Sequence, residues 1–226
     1  MEMRPASLML SALLLMAVSA MARSDALSSM IQPVPAEAAS KLAAEWWQWA
    51  ESVPGGKSPI MDETGVDCAQ DQQGRVWFLA GGYGSTKIHR VCTVPEGRSL
   101  FFPLINMVYF PDEDSTPENF TCEDAEIASA LDNDTAIDLF ASVDGVELED
   151  LKRLRISTPG CFDIFAHLPK GQRPYSGYPS ATDGFWLLLK PLSKGHHLIK
   201  FGGKYNNSSP DYGQMIQDIE YDLVVE

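Results

Sequence analysis

The pattern of apolar and polar residues changes its period after residue 53. In residues 36–53 the apolar positions recur three or four residues apart, at Leu42, Trp46, Trp49 and Val53. The polar positions of the same segment fall on the opposite side of a helical projection, which indicates an amphipathic helix. The sequence PGGKSP follows the segment and predicts that the helix ends there.

Three tryptophans lie close together in this predicted helix, within the sequence WWQW. Trp46 and Trp49 belong to the apolar stripe, and Trp47 extends it on the side of Ala43 and Ala50. We expect all three rings to anchor the helix to the rest of the fold, because each offers a large apolar area for burial. The competing interpretation is a platform on which a ligand stacks.

Beyond the helix, short β-like runs are separated by glycine and proline. The alternation is clearest near the end of the chain, where Ile219, Tyr221, Leu223 and Val225 are expected to face a core. Roughly eight such runs with only two helices are typical of mainly β proteins. We predict an antiparallel, jelly-roll-like β-sandwich, formed as one domain by residues 36–226 and carrying an N-terminal amphipathic helix and one short inserted helix.

Local signals predict individual connections and one further strand. Residues 75–80 and 88–94 flank a glycine-bearing loop and are expected to form a hairpin. Asp144 and Gly145 form a second hairpin signal, and residues 161–168 are a strand candidate.

A short helix is predicted within the acidic part of the chain. Thr121 and Asp124 have the spacing of a capping box, in which each residue hydrogen-bonds the backbone N–H of the other. The apolar face of this helix would consist of Ala125, Ala128 and Leu131.

The first residues have the features of a signal peptide. Arg4 precedes an apolar run from Leu8 to Val18, and Ala20 and Ala22 match the small-residue rule for cleavage. We predict a signal peptide over residues 1–22 and a flexible leader over residues 23–35; an uncleaved anchor is the alternative. No other stretch approaches the roughly 20 apolar residues of a membrane span, so we expect a secreted or periplasmic protein without a membrane span.

All four cysteines lie after the predicted signal peptide. An even number of cysteines in an exported chain indicates two disulfides. Three pairings are open, and we favour Cys68–Cys92 and Cys122–Cys161, because each closes a moderate loop between segments that we expect to be neighbours.

The net charge of −14 is concentrated in one segment. Residues 111–150 hold 14 Asp and Glu and no Lys or Arg, which leaves 31 − 14 = 17 acids against 17 bases elsewhere. Binding to nucleic acid or to an anionic membrane surface requires a basic patch. The sequence therefore argues against both kinds of partner.

Calcium is the metal for which the acidic segment offers ligands. Asp112, Glu113, Asp114 and Glu118 lie in one predicted loop, and calcium takes several oxygen ligands from such loops. The spacing does not match an EF-hand, and a solvated acidic face is the alternative. We expect no other cofactor, because the four histidines do not have the spacing of a metal site.

The usual sequence signatures of enzymes are absent. Paired carboxylates acting on a glycan remain as a catalytic hypothesis, and the acids to test first are Asp62, Asp67, Asp71 and Asp183. With more than 30 acids in the chain no pair is singled out. We therefore favour a protein without catalytic activity.

Tyrosines in the loops indicate a binding site instead. They are Tyr83, Tyr175, Tyr178, Tyr205 and Tyr212. Flat rings stack on the apolar faces of sugars, and neighbouring Asn and Asp residues supply hydrogen bonds. The alternative is that each tyrosine covers an edge of the core with its hydroxyl in water.

Several motifs together resemble a group of exported bacterial proteins. They are WWQWAESVP, GRVWFLAGG, CTVPEGRSLFFPLIN, DGFWLLLKPLSKGHHLIKFGG and the closing DIEYDLVV. The resemblance covers most of the chain after the signal peptide and implies a secreted protein with a sandwich fold. No activity is established for the group, so the resemblance transfers no site residue.

Three functional hypotheses follow from these observations. The leading one is a secreted or periplasmic, disulfide-bonded protein that binds a carbohydrate or another component of the cell envelope. The second is a secreted glycan hydrolase that uses two carboxylates. The third is a structural or protein–protein interaction module whose acidic segment, residues 111–150, meets a basic partner.

Overall fold

The computed structural model describes residues 30–53, 58–83, 87–206 and 214–226. The predicted signal peptide and most of the predicted leader lie outside this range. The α-helices are α1 (Ala36–Ala50) and α2 (Cys122–Asn133). The strands are β1 (Val76–Phe78), β2 (Lys87–Val94), β3 (Ser99–Tyr109), β4 (Ile137–Val143), β5 (Val146–Glu147), β6 (Arg155–Ser157), β7 (Ala181–Leu189), β8 (Gly195–Asn206) and β9 (Gln214–Val225).

The strands form two sheets that pack face to face. In the described residues one sheet has the order β1-β3-β7-β6 and the other has the order β2-β9-β8-β4-β5. The predicted mainly β sandwich is confirmed. Most strand pairs are antiparallel as expected, but β1 runs parallel to β3 and β2 runs parallel to β9. This strand order does not confirm the jelly-roll connectivity.

The predicted hairpin between residues 75–80 and 88–94 is wrong. β1 and β2 lie in different sheets, so the glycine-rich connection crosses from one sheet to the other. The reason is visible at the start of this connection, where Gly82 N–H donates to the Gln217 side chain of β9 and the Gly81 carbonyl accepts from Arg90. These long-range bonds engage the backbone that a tight turn would have used.

The second hairpin is formed as predicted. Asp144 and Gly145 both have positive φ angles, 52° and 76°, and they join β4 to the antiparallel β5. Such angles suit the two-residue turns of hairpins. Residues 161–168, by contrast, form no strand beyond one isolated bridge between Phe162 and Ser180, so that prediction is wrong.

The main core lies between the two sheets. Phe102 of β3 packs against Phe201 of β8 with ring centroids 4.4 Å apart, and Phe201 stacks on Tyr221 of β9. The predicted inward face of the last strand is confirmed, because the alternating residues from Ile219 to Val225 are all buried. β7 is buried along its whole length, since α1 and α2 both pack against its other face.

The three tryptophans of α1 anchor the helix on the four-stranded sheet. Each is at least 95% buried, and each indole N–H donates over 2.9 Å to a different acceptor. The acceptors are the Leu79 carbonyl, the Thr182 hydroxyl and the Gln70 carbonyl for Trp46, Trp47 and Trp49, respectively. The predicted anchoring role is confirmed, although the helix ends at Ala50 rather than Val53.

Helix α2 begins at the predicted residue, but the face that it buries differs from the predicted apolar face. The capping box of Thr121 and Asp124 is present. The buried side chains, however, are Ala125, Ser129, Asp132 and Asn133, while the apolar Leu131 is exposed. The polar residues turn inward because the helix end meets polar groups of the sheet: the Asn133 amide donates to the Asp183 carbonyl of β7 over 2.9 Å.

Both favoured disulfides, Cys68–Cys92 and Cys122–Cys161, are formed. The first holds residues 62–68 along the edge strand β2, where Val91 N–H donates to the Thr64 carbonyl. Gly65 allows this approach, since it has a φ angle of 91° and a Cβ there would lie 2.3 Å from the Val91 oxygen. Two disulfides are consistent with an oxidising compartment.

Within the described residues, no helix has the length and apolar character needed to cross a membrane.

His197 is held between two hydrogen-bond acceptors near the β4–β5 hairpin. Its Nδ1 lies 2.8 Å from a carboxylate oxygen of Asp144, and its Nε2 lies 2.9 Å from the Ser193 carbonyl. Only the protonated ring can donate to both acceptors. Partial burial opposes the charge, but the bonds to Asp144 and Ser193 outweigh it and raise the pKa of His197.

Replacing Trp46 by Ala is expected to lower the free energy of unfolding by about 3–5 kcal/mol, because the change removes a buried ring and an indole hydrogen bond. Chemical denaturation of the variant measures this loss. The exposed Ile127 of α2 supplies the control, since Ile127→Ala is expected to change stability by about 0.5 kcal/mol or less. Equal stability of the two variants would contradict the anchoring role.

The raised pKa of His197 predicts a stabilisation that depends on pH. It is fully present below the ordinary histidine value of about 6.5 and is lost as the pH rises through the higher value of the folded protein. His197→Gln is therefore expected to destabilise the protein more at pH 5.5 than at pH 8.5, as measured by denaturation at both. His196→Gln, at the exposed neighbouring histidine, is the control, and a pH dependence as large as that of His197→Gln would contradict the prediction.

Candidate functional site

A cavity of about 250 Å³ lies at one end of the sandwich. Its walls come from the second half of α1, the segment after β1, the second half of β3, and the adjoining ends of β8 and β9. Most of the residues around it are aromatic or otherwise apolar; they include Trp46, Trp47, Ile60, Tyr83, Met107, Val108, Phe110, Tyr205 and Met215. We call it the tryptophan cavity.

The tryptophans that anchor α1 also form one wall of this cavity. The Trp46 and Trp47 rings meet edge to face with centroids 5.0 Å apart. Their indole N–H groups are used by the anchoring bonds, so the apolar surfaces of the rings are what remains for the cavity. The anchoring and platform interpretations of these tryptophans are therefore compatible.

Asn106 is the side-chain amide in the wall of the tryptophan cavity. Its side chain is 93% buried, and its amide nitrogen donates to no described residue. The pairing of β3 with β7 places Gly184 opposite, where a Cβ would lie only 2.5 Å from the Asn106 Cβ. Glycine thus leaves the room that Asn106 occupies. A buried amide donor without a partner is unfavourable unless something else accepts from it.

Two of the five predicted tyrosines, Tyr83 and Tyr205, line this cavity. Tyr83 is 55% exposed, and its hydroxyl donates to a carboxylate oxygen of Glu51 over 3.1 Å. Tyr205 is buried, and burial together with the charge of Asp132 raises its pKa to about 12. The Tyr205 hydroxyl therefore stays protonated at neutral pH.

Tyr175 connects the acidic loop to the same region. Its ring packs on Phe165, which in turn packs on Phe110 of the cavity wall. Burial raises the pKa of the Tyr175 hydroxyl, and the charges of Glu51, Asp112 and Glu113 raise it further. The structure thus brings part of the predicted tyrosine set and part of the predicted acidic set to one end of the molecule.

The other two predicted tyrosines are not part of this site. Tyr178 is exposed beside a separate cavity of about 320 Å³, which also contacts Pro111 and Phe120. Tyr212 lies outside the described residues.

The backbone of the cavity is positioned by Arg90, a residue that the sequence analysis did not single out. The Arg90 side chain is 99% buried, and no carboxylate pairs with it in the described residues. Its Nε donates to the Asp62 carbonyl over 2.6 Å. The two terminal nitrogens donate to the carbonyls of Ile60, Ala80 and Gly81 and to the Tyr221 hydroxyl.

These contacts account for all five N–H groups of the guanidinium. The Tyr221 ring, with its centroid 5.5 Å from Cζ, adds a cation–π contact. Because Ile60 and Gly81 both line the tryptophan cavity, Arg90 fixes two of its walls at once.

Gln217 of β9 provides a second link between the sheets at this point. Its side chain is buried, and its amide nitrogen donates to the Pro103 and Leu104 carbonyls over 3.0 and 2.7 Å. These carbonyls lie at a bulge of β3, where the pairing with β7 shifts register. The amide oxygen accepts from Gly82 N–H over 3.0 Å. This bond fixes Gly82, which lies between Gly81, an acceptor of Arg90, and Tyr83.

The predicted calcium loop is closed by its own hydrogen bonds. The Asp112 carboxylate accepts from the Ser115 hydroxyl over 2.6 Å and from Asp114 N–H over 3.1 Å. The remaining predicted ligands, Glu113, Asp114 and Glu118, are exposed. In the part of the chain that the structure describes, no three His, Cys, Asp or Glu side chains are grouped to hold a metal ion. Calcium binding stays a prediction of the sequence.

Of the four carboxylates considered for catalysis, Asp62, Asp67 and Asp71 lie in the segment before β1, and Asp183 lies in β7. Asp62 accepts from the backbone of Thr64 and Asp67, and these bonds hold its pKa below the usual range although partial burial opposes them. Asp71 is exposed, with a φ angle of 50°. Asp183 is buried beside Arg155, and burial raises its pKa although the arginine opposes the shift. The Asp62 carboxylate is thus engaged by backbone N–H groups, and the Asp183 carboxylate is engaged by Arg155.

Comparison with known proteins returns no family model, no curated protein and no solved structure that matches this chain. The resemblance to exported bacterial proteins stays a prediction, and function has to be argued from the site itself.

Replacing Arg90 by Leu is expected to cost about 3–5 kcal/mol of stability, because several buried backbone carbonyls lose their donors. Arg90→Lys keeps the charge, yet its three donors cannot reproduce the planar fork, so we expect most of the same loss. Urea denaturation measures both. Arg75→Leu, at an exposed position, is the control. A lysine variant as stable as the parent protein would show that charge alone is required.

Proposed function

We propose that this chain is an exported binding protein that takes a small carbohydrate of the cell envelope in the tryptophan cavity. The observation that carries the proposal is Asn106, whose buried amide nitrogen lacks an acceptor in a wall that is otherwise aromatic and apolar. Ligand pockets commonly combine mostly apolar linings with a few placed polar groups.

The chemistry of the walls suits a sugar ring. A pyranose has one face of C–H groups, which packs on aromatic rings such as those of Trp47 and Tyr83, and an edge of hydroxyls that need partners. The Asn106 amide supplies a donor, and the Glu51 carboxylate beside Tyr83 supplies an acceptor. Burial raises the pKa of Glu51, which makes its ionised carboxylate a stronger hydrogen-bond acceptor.

The size of the cavity limits the occupant. Its volume of 250 Å³ lies just below the range of about 300–1,000 Å³ for pockets that bind drug-sized ligands. This favours one sugar ring, or the end of a longer chain, over a whole oligosaccharide. The two disulfides support the exported part of the proposal, since such bonds persist in oxidising compartments.

The proposal predicts opposite effects of one substitution on binding and on stability. Asn106→Leu removes the amide at similar volume, so affinity should fall about tenfold through the lost hydrogen bond. Stability should stay the same or rise, because a buried donor without a partner is removed. The ligand is first identified on an array of mono- and oligosaccharides from bacterial envelopes, and the hit is then titrated by calorimetry.

A matched pair of tyrosine variants locates the binding site. Tyr83 and Tyr178 are almost equally exposed, at 55% and 58%, and only Tyr83 lines the tryptophan cavity. Tyr83→Ala should weaken binding of the array hit, and Tyr178→Ala should leave it unchanged. An array without binding at millimolar sugar, or equal effects of the two variants, would overturn the proposal.

A further inference from the structure

A second cavity lies beside the Trp186 ring. It has a volume of about 380 Å³ and lies at the edge of the four-stranded sheet, between residues 31–36, the start of α1, and strands β6 and β7. We call it the edge cavity. Trp46 of the tryptophan cavity and Trp186 of the edge cavity meet edge to face, 5.4 Å apart, so the two cavities share an aromatic partition.

The edge cavity arises where β7, paired with β3 on one side, has no neighbouring strand on the other. β6 pairs with β7 as far as Phe185, and Gln32 N–H next donates to the Leu188 carbonyl over 2.8 Å. The Gln32 side chain is tied to the sheet by the Ser99 hydroxyl, also over 2.8 Å. Between these two points Trp186, which pairs with Pro103 of β3 on its other side, has no strand beside it on the β6 side, and the space is bounded by backbone at both ends.

The floor of the edge cavity is flat and apolar. Trp186 and Phe101 stack with an angle of 4° between the rings and centroids 5.3 Å apart. Val34, Ile156 and Leu188 complete the apolar lining. Trp186 is 99% buried, and its indole N–H has no acceptor among the described residues. The cavity thus has an apolar body and a donor whose hydrogen bond is not made.

The charge at the edge cavity is opposite to that of the protein. The chain has a net charge of −14, yet two arginines and no Asp or Glu line this cavity. Arg155 is neutralised by Asp134 and Asp183, at 2.7 and 2.9 Å. Arg153 is exposed and makes no ion pair with a described residue. Its guanidinium is therefore available to an anion at the mouth of the cavity.

We propose that the edge cavity binds a free fatty acid, with the carboxylate at Arg153 and the alkyl chain over the Trp186 and Phe101 rings. Guanidinium–carboxylate pairs are strong and directional, which fits a single anionic head. Burial of the chain against the apolar floor supplies the rest of the affinity. The proposal concerns a site and a ligand class separate from the carbohydrate site and does not depend on it.

Calorimetric titration of the mature protein with octanoate, below its micelle concentration, tests the proposal. Octanoate should bind, and 1-octanol, with the same chain and no charge, should bind more weakly. Arg153→Gln should lower the octanoate affinity about tenfold, as expected for loss of one charged hydrogen bond. Lys152→Gln makes the same charge change at an exposed neighbour that does not line the cavity, and it should leave the affinity unchanged.

A second variant tests the contribution of the cavity space, independently of the charge of Arg153. Ala36 is an exposed residue at the rim, so Ala36→Phe should fill part of the space and reduce binding while the melting temperature stays the same. Absence of octanoate binding, equal loss in the two glutamine variants, or binding only to phosphatidylglycerol vesicles would each overturn the proposal. None of these variants touches the tryptophan cavity, so carbohydrate binding would be unaffected.

Discussion

The buried guanidinium of Arg90 is the interaction on which the end of the sandwich depends. A charge that is removed from water is costly unless every donor is satisfied, and here the satisfaction comes from backbone carbonyls rather than from a carboxylate. The acceptors belong to residues 60–62, to the segment after β1 and to the hydroxyl of Tyr221. One side chain therefore holds three separate segments of the chain in place.

That coupling explains how an irregular region keeps a defined cavity. The segment after β1 has no strand partner, yet its backbone is fixed by Arg90 on one side and by Gln217 on the other. The Cys68–Cys92 disulfide holds the other contributing segment two residues along β2 from Arg90. Binding residues on loops work only when a rigid scaffold positions them, and these bonds provide the scaffold.

The tryptophans of α1 serve stability and the site together. Their N–H groups hold the helix on the sheet, while the Trp46 ring lines one cavity and contacts Trp186 of the other. One cavity adjoins acidic residues and tyrosine hydroxyls, and the other has Arg153 at its mouth. The anchor and platform interpretations that the sequence raises are therefore compatible, because the indole N–H groups make the anchoring bonds while Trp46 and Trp47 also line the tryptophan cavity.

Local periodicity determined much of this protein by itself. The helix of residues 36–50, the capping box at Thr121, the Asp144–Gly145 turn and the inward face of β9 all depend on neighbours a few residues apart in sequence. Tertiary structure decided the rest: the crossing of the chain between the sheets after β1, the burial of the polar face of α2, and the contacts of Arg90. In each case the deciding hydrogen-bond partners are distant in sequence. Arg90 and Tyr221 are 131 residues apart, and no local pattern indicates that they meet.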